Sequence, residues 1–161
     1  MNNCHNHQHC IDDALLNAKV ICEKSGARLT ELRQQVLMLI WQNHKPLGAY
    51  TLMDMLAEQT QRQVAPPTVY RALDFLLNLK LIHRINSLNA YIGCVSPEAH
   101  QKSEGTDNQN INYFFICNKC HDTQEVIDQP LINIVIETTN NLEFSSQQQW
   151  LEVTGLCHQC Q

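Results

Sequence analysis

The stretch Ala65–Leu76, with the sequence APPTVYRALDFL, decides the fold of the first half of this 161-residue chain. Pro66-Pro67 predicts the start of a helix, because the fixed φ of proline suits the first helical turn and its missing N–H is not needed there. The helix then has one apolar stripe at spacing i, i+3, i+4 and i+7. This stripe consists of Val69, Ala72, Leu73 and Leu76.

Helical patterns precede this stretch and strand patterns follow it. A first helix is expected from Asp12 or Asp13 to about Ser25, a second after a Thr30 cap, and a third over about residues 49–59. Two short apolar runs follow, over residues 81–85 and 90–95, and turn-forming Asn and Ser residues between them predict a hairpin. Helices followed by a hairpin are typical of a winged helix-turn-helix domain.

A winged helix-turn-helix predicts DNA binding, read by the face of the fourth helix that points away from its apolar stripe. Arg71 can donate two hydrogen bonds to a guanine edge, and Tyr70 can contact a thymine methyl group. Thr68 flanks the same first turn, while Tyr50 and Arg62 could hold phosphates. Winged helices also mediate protein contacts, so the periodicity alone leaves that alternative open.

Charged residues are distributed unevenly along the chain, which suggests that its parts have different functions. The net charge is −5, which argues weakly against nucleic acid as a partner. Residues 28–84, however, contain seven Lys and Arg against four Asp and Glu, a net charge of +3. This mildly basic block coincides with the predicted winged helix.

Two Cys-x-x-Cys motifs stand in the last third of the chain, at Cys117/Cys120 and Cys157/Cys160. Two intervening residues let both sulfurs of a pair face one ion, and two such pairs make a tetrahedral zinc site. Strands are expected to enter both motifs, and a helix over about residues 130–140 lies between them. A redox-active disulfide pair is the alternative.

The chain divides into four parts: a disordered tail (1–10), a winged-helix region (11–95), a polar linker (96–110) and a smaller zinc-containing unit (111–161). No apolar run is long enough for a membrane helix, and the first ten residues do not resemble a signal peptide. We therefore expect a cytoplasmic protein whose eight cysteines serve as metal ligands rather than disulfides.

These motifs together resemble the ferric-uptake-regulator superfamily, over about residues 11–160. Ala65–Leu76 resembles its recognition helix, Arg28–Leu37 its second helix, and FFICNKC and GLCHQC its zinc knuckles. The resemblance implies an α+β fold: an N-terminal winged helix-turn-helix DNA-binding domain followed by a small α/β dimerisation domain stapled by zinc. It also implies a homodimer that binds double-stranded operator DNA.

The zinc-uptake-regulator branch is the most similar part of this superfamily. Its sensor site uses ligands that fall here on His83, Cys94, His100 and Glu125. A thiolate beside imidazoles and a carboxylate favours Zn²⁺ over Fe²⁺ or Mn²⁺. The resemblance thus implies a zinc-responsive repressor of zinc-uptake genes with two zinc ions per subunit, one structural and one regulatory. The longer linker after His100 departs from the family spacing.

The sequence leaves three alternatives to this function. An iron- or peroxide-sensing regulator of the same superfamily would use only His and carboxylate ligands. A zinc enzyme would need an open zinc position and a nearby base, for which the sequence offers no motif, so no small-molecule substrate is expected. A zinc buffer or chaperone could use the Cys- and His-rich tail, Cys4 to Cys10, but would not need Tyr70 and Arg71.

Overall fold

The computed structural model describes residues 7–43, 45–97, 111–145 and 149–161. The chain forms two compact units, Met1–Pro97 and Glu98–Gln161. None of the helices in the described ranges is long and apolar enough to cross a membrane.

The first unit begins with four helices. They are α1 (His7–Lys24), α2 (Glu31–Gln42), α3 (Ala49–Thr60) and α4 (Pro66–Asn78). Thr30 occupies the predicted N-cap position of α2 in an extended conformation, but its side chain makes no capping hydrogen bond. Two prolines open α4, as the sequence predicts.

A small antiparallel sheet completes the first unit. Its strands are β1 (Leu47–Gly48), β2 (Ile82–Ile85) and β3 (Ala90–Gly93), in the order β1-β3-β2. Strands β2 and β3 form the wing, and Asn89 in their turn adopts a positive φ of 47°, which Asn tolerates better than most residues. Helices followed by this hairpin confirm the predicted winged helix-turn-helix.

The core of the first unit joins all four helices to the wing. All four residues of the predicted stripe on α4 are buried, at no more than 3% exposure. They pack in one cluster with apolar residues of α1, α2 and α3 and with Leu81, Ile82 and Tyr91 around the wing. The back of α4 is therefore fixed by the core, and its opposite face is left to solvent.

The second unit is a three-stranded sheet with one helix. Its elements are β4 (Ile111–Cys117), β5 (Thr123–Val126), α5 (Gln129–Asn141) and β6 (Gln149–Gly155). The strand order is β5-β4-β6, with β5 antiparallel and β6 parallel to β4. Parallel neighbours need a crossover connection, and α5 lies in that connection. Asp128 caps α5 by accepting a hydrogen bond from the Leu131 N–H at 2.9 Å.

The structure corrects the predicted start of the first helix. Residues 7–10, assigned to a disordered tail, belong to α1. Exposed side-chain pairs at i and i+4 support this added turn: Gln8 donates to Asp12 at 3.0 Å, and His9 Nδ1 lies 2.9 Å from Asp13 Oδ2.

Cys10 is disulfide-bonded, so the expectation of metal-ligating cysteines without disulfides is wrong for this residue.

Two strands were not predicted. Strand β1 has only two residues and exists because Leu47 and Gly48 pair with Tyr91 and Ala90. Strand β5 has no strong alternation of its own and is held by its pairing with β4. The hairpin strands are also shorter than predicted and leave Cys94 just beyond β3.

Candidate metal centres and nucleic-acid interface

Four cysteines meet at one edge of the second unit. The parallel pairing of β4 and β6 ends with Cys117 beside Gly155, so both strands leave the sheet at the same point. Each strand then turns through a Cys-x-x-Cys motif. We call Cys117, Cys120, Cys157 and Cys160 the four-cysteine cluster.

Backbone hydrogen bonds shape both turns of the cluster. The His121 N–H donates to the Cys117 carbonyl, and the Cys160 N–H donates to the Cys157 carbonyl, both at 2.9 Å. The Asn118 N–H donates to the Gly155 carbonyl at 2.8 Å and ties one turn to the other. The positions of the sulfurs are thus determined by the main chain.

The spacing of the sulfurs fits a tetrahedral zinc ion. The four Sγ atoms all lie within 4.8 Å of one another, and the Sγ atoms of Cys120 and Cys157 are 3.7 Å apart. Zn–S bonds of about 2.3 Å in a tetrahedron place sulfurs about 3.8 Å apart. The second unit therefore has a donor set of the right number, chemistry and spacing for structural zinc.

The cluster distributes its protons unevenly when no cation is bound. Backbone N–H groups of Cys120 and Cys157 donate towards Cys117 and lower the pKa of its thiol to about 6. Hydrogen bonding to the Cys120 sulfur and burial raise the pKa of Cys160 to about 12. The backbone N–H of Asp122 lowers the pKa of Cys120, but hydrogen bonding with Cys117 and burial together outweigh it, so the pKa of Cys120 is also raised. A cation is what would allow several thiolates to coexist here.

Two further side chains of types that can bind a metal lie on the wing of the first unit. His83 stands on β2 opposite Ile92, and Cys94 follows β3 directly. An imidazole nitrogen of His83 and the Sγ of Cys94 lie within 4.8 Å of each other. Both side chains are buried, at 5% and 1% exposure. We call His83 and Cys94 the wing pair.

Of the other two predicted sensor ligands, one lies among the described residues and one does not. Glu125 lies on β5 of the second unit, opposite Phe114, with its side chain half-buried. His100 falls outside the described residues. The structure therefore gives a geometry for the wing pair within its own unit.

The residues predicted to contact DNA are all exposed on the first unit. Tyr50 lies in the first turn of α3 and is 74% exposed. Thr68, Tyr70 and Arg71 lie in the first two turns of α4, and Arg62 follows α3. A fixed back and an exposed front with Arg and Tyr are what a recognition helix requires.

One basic residue near this face was not predicted. Arg84 is the exposed residue of β2, whereas the other three residues of the strand, His83 among them, are buried. Its Nη2 donates to Asn89 Oδ1 across the wing turn at 2.9 Å. The charge of Arg84 in the run IHRI is the sequence signal that could have indicated an exposed residue on the wing.

Comparison with known proteins defines the family. Residues 24–154 match the model of the ferric uptake regulator family. The chain is 33% identical over 148 residues to the zinc uptake regulation protein of Escherichia coli (strain K12), covering 92% of this chain and 81% of that protein. The chain therefore belongs to the ferric uptake regulator family, as the sequence motifs indicate.

Two solved structures are similar to this chain along most of its length. A zinc uptake regulator complexed with zinc and DNA is similar to this chain with a TM-score of 0.80 and 32% identity, over 92% of this chain and 93% of that one. The crystal structure of holo XcZur is similar with a TM-score of 0.77 and 36% identity, over 90% and 94% of the two chains. The predicted α+β fold is thereby confirmed.

Proposed function

We propose that this chain is a zinc-responsive transcriptional repressor that acts in the cytoplasm on operator DNA of zinc-uptake genes. Its similarity to a zinc uptake regulation protein and to a regulator bound to zinc and DNA supports this. The role is regulatory rather than enzymatic.

The observation that carries the proposal is the wing pair. A buried thiol and a buried imidazole within 4.8 Å of each other can bind one ion with modest adjustment, since tetrahedral zinc places nitrogen and sulfur ligands about 3.6 Å apart. Thiolate sulfur is a soft ligand that favours zinc over Fe²⁺ or Mn²⁺. The donor set argues against the alternative of an iron or peroxide sensor.

We assign two zinc ions to each subunit. The four-cysteine cluster holds the structural ion, and its spacing supports this role. His83 and Cys94 hold the regulatory ion, with Glu125 and His100 as the proposed further ligands. Four protein ligands would leave no position for a reacting water, which favours sensing over catalysis.

DNA binding is assigned to the exposed face of α4 and its surroundings. Arg71 and Tyr70 would reach base edges, while Thr68, Tyr50 and Arg62 would contact the backbone. The basic balance of residues 28–84 supports this surface in a chain whose net charge is −5.

We propose a homodimer built by the second unit. In the order β5-β4-β6 the strand β6 is an edge strand, and its Trp150, Leu151 and Val153 are 40–47% exposed. An apolar edge strand is a favourable surface for pairing with a second copy. Two copies would present two recognition helices to successive major grooves.

The proposed ligands suggest how zinc controls DNA binding. The wing pair belongs to the first unit and Glu125 to the second, so shared coordination would restrain the two units and, in a dimer, the two recognition helices. A coupling of about 1–3 kcal/mol would change operator affinity roughly 5- to 150-fold.

One experiment separates this function from its alternatives. A duplex is first selected from a random-sequence DNA pool by the zinc-loaded protein, and its binding is then titrated under buffered Zn²⁺, Fe²⁺ and Mn²⁺, with metal content measured in parallel. We expect tight binding with two zinc ions per subunit and little response to the other metals. An Fe²⁺ response would indicate an iron sensor, and zinc uptake without selective DNA binding would indicate a buffer.

A further inference from the structure

We propose that Trp41 is a positioning residue for the zinc ligand Cys94, and that it acts through Gly93, which must lack a side chain. The proposal rests on the regulatory role assigned to the wing pair. It adds a third side chain to that site, one that binds no metal.

The indole of Trp41 lies directly against the backbone of Gly93. A Cβ atom added at Gly93 would lie 2.5 Å from Cε2, 2.6 Å from Nε1 and 2.9 Å from Cδ2 of that indole. Gly93 does not have a positive φ, so its backbone conformation would accept other residues. Glycine is required here for space, because the aromatic ring occupies the volume of a side chain.

This contact falls between the two ligands on the hairpin. Gly93 pairs with Ile82, and its neighbour Ile92 pairs with His83. The next residue along, Cys94, donates its N–H to the Leu81 carbonyl at 3.1 Å. The contact of the indole with Gly93 therefore lies on the short segment that sets the distance from the thiol to the imidazole.

Trp41 is anchored in the helical core. It follows the buried residues Leu39 and Ile40 on α2 and packs, half-buried, against the core cluster of the first unit. The same cluster contains the buried stripe of the recognition helix α4. A shift of β3 would therefore be opposed by Trp41, which packs in the same core as the recognition helix.

The first test is a double-mutant cycle on zinc affinity. Gly93→Ala forces a methyl group into the indole, and Trp41→Leu removes the ring from the glycine. Each single variant is expected to weaken the regulatory zinc site by roughly 10-fold or more, as loss of a supporting residue typically does. The double variant should lose much less than the two losses combined, because the clash needs both residues.

The matched control is Gly48→Ala, in β1 of the same sheet. The nearest atom to a Cβ there is Thr51 Oγ1 at 4.0 Å, so this glycine has room for a methyl group. Gly48→Ala should keep the wild-type zinc midpoint. All variants should retain the zinc of the four-cysteine cluster, which shows that the second unit folds, and the wild-type helical circular dichroism signal, which shows that the first unit folds. Purely additive losses, or a wild-type midpoint for Gly93→Ala, would overturn the proposal.

A second measurement uses fluorescence rather than mutation of the contact. The chain has two tryptophans, so Trp150→Phe, which keeps an aromatic side chain on the proposed dimer strand, leaves Trp41 as the sole tryptophan. Its emission should change as zinc is added and saturate at the same free zinc as the regulatory site. Emission that stays unchanged while the regulatory site fills with zinc would contradict the proposal.

Cys94→Ser distinguishes failure of this inference from failure of the function. If Cys94→Ser keeps the regulatory zinc, the proposed zinc site itself is misplaced. If Cys94→Ser loses that zinc while Gly93→Ala binds it like wild type, only the role of Trp41 is wrong.

Discussion

The backbone N–H of Cys94 donates to the carbonyl of Leu81 at 3.1 Å, one position beyond the last paired residues of the wing. His83 lies two residues after Leu81 on the neighbouring strand. The wing pair is therefore brought together by a backbone ladder, and both side chains are already buried. Because both side chains are already held in place, less conformational entropy is lost when zinc binds.

Loss of the four-cysteine cluster should unfold the second unit. In Cys117→Ser one of the four sulfurs is absent, and zinc-binding free energy contributes directly to folding in sites of this kind. We expect lower zinc content and a monomeric or aggregated protein by size-exclusion chromatography. Cys22→Ala, which changes a buried free thiol of the first unit, is the control and should keep its zinc. A well-folded Cys117→Ser dimer with unchanged zinc would refute the structural role.

Zinc binding to the four-cysteine cluster should release protons. At pH 7 in the metal-free protein, the pKa of about 6 leaves Cys117 mostly as thiolate, whereas the raised pKa values keep Cys120 and Cys160 protonated. Zinc must displace these protons, so its affinity should fall as the pH is lowered. Calorimetry in buffers of different ionisation enthalpy measures the number released. A pH-independent affinity between pH 6 and 8 would contradict this assignment.

Arg71 should determine sequence selectivity. Arg71→Ala is expected to cost about 1–3 kcal/mol on the selected duplex and to relax selectivity at one base position, with fold and zinc content unchanged. Arg62→Ala is the comparison: as a phosphate contact it should weaken binding to all duplexes alike and reduce the salt slope by about one. If Arg71→Ala binds the selected duplex like wild type at fixed salt, the recognition surface has been assigned to the wrong residues.

The helices of the first unit follow from the sequence because local signals agree with the tertiary fold. The Pro66-Pro67 start and the apolar stripe of α4 are local features, and the core buries that stripe. Strand β1 could not be predicted, because two residues carry no periodicity and pair only once β3 is in place. The start of α1 was missed since a run of His and Asn reads as polar tail, although side-chain pairs support the helix.

One part of the candidate site could be predicted from the sequence, and another part could not. The spacing of the two Cys-x-x-Cys motifs indicated one tetrahedral site, and the structure brings their sulfurs together. Trp41 could not have been found, because its contact with Gly93 joins residues 52 positions apart with no shared motif. Contacts of this kind arise from packing and are visible only in three dimensions.

Removing the hydroxyl of Tyr113 should stabilise the second unit. This residue is 1% exposed, and its hydroxyl has no hydrogen-bond partner among the described residues. Burial, followed by the nearby Asp128 carboxylate, raises its pKa. Because an unpaired buried hydroxyl costs about 1–3 kcal/mol, Tyr113→Phe should raise the melting temperature of the zinc-loaded protein. A lower melting temperature would mean that the hydroxyl gains a partner in the zinc-bound or dimeric state.

The central claim is that Cys94 makes this protein a zinc sensor, and a zinc titration tests it most directly. Binding of the selected duplex by Cys94→Ser and wild type is measured across buffered free zinc, with zinc per subunit determined in parallel and Cys22→Ala as the control for loss of a buried thiol. We predict that Cys94→Ser remains a folded dimer with one zinc per subunit, loses zinc-dependent binding and keeps weak non-specific binding. His83→Ala and Glu125→Ala should show smaller shifts, since a thiolate contributes more to zinc affinity. An unshifted zinc midpoint in Cys94→Ser would contradict the claim.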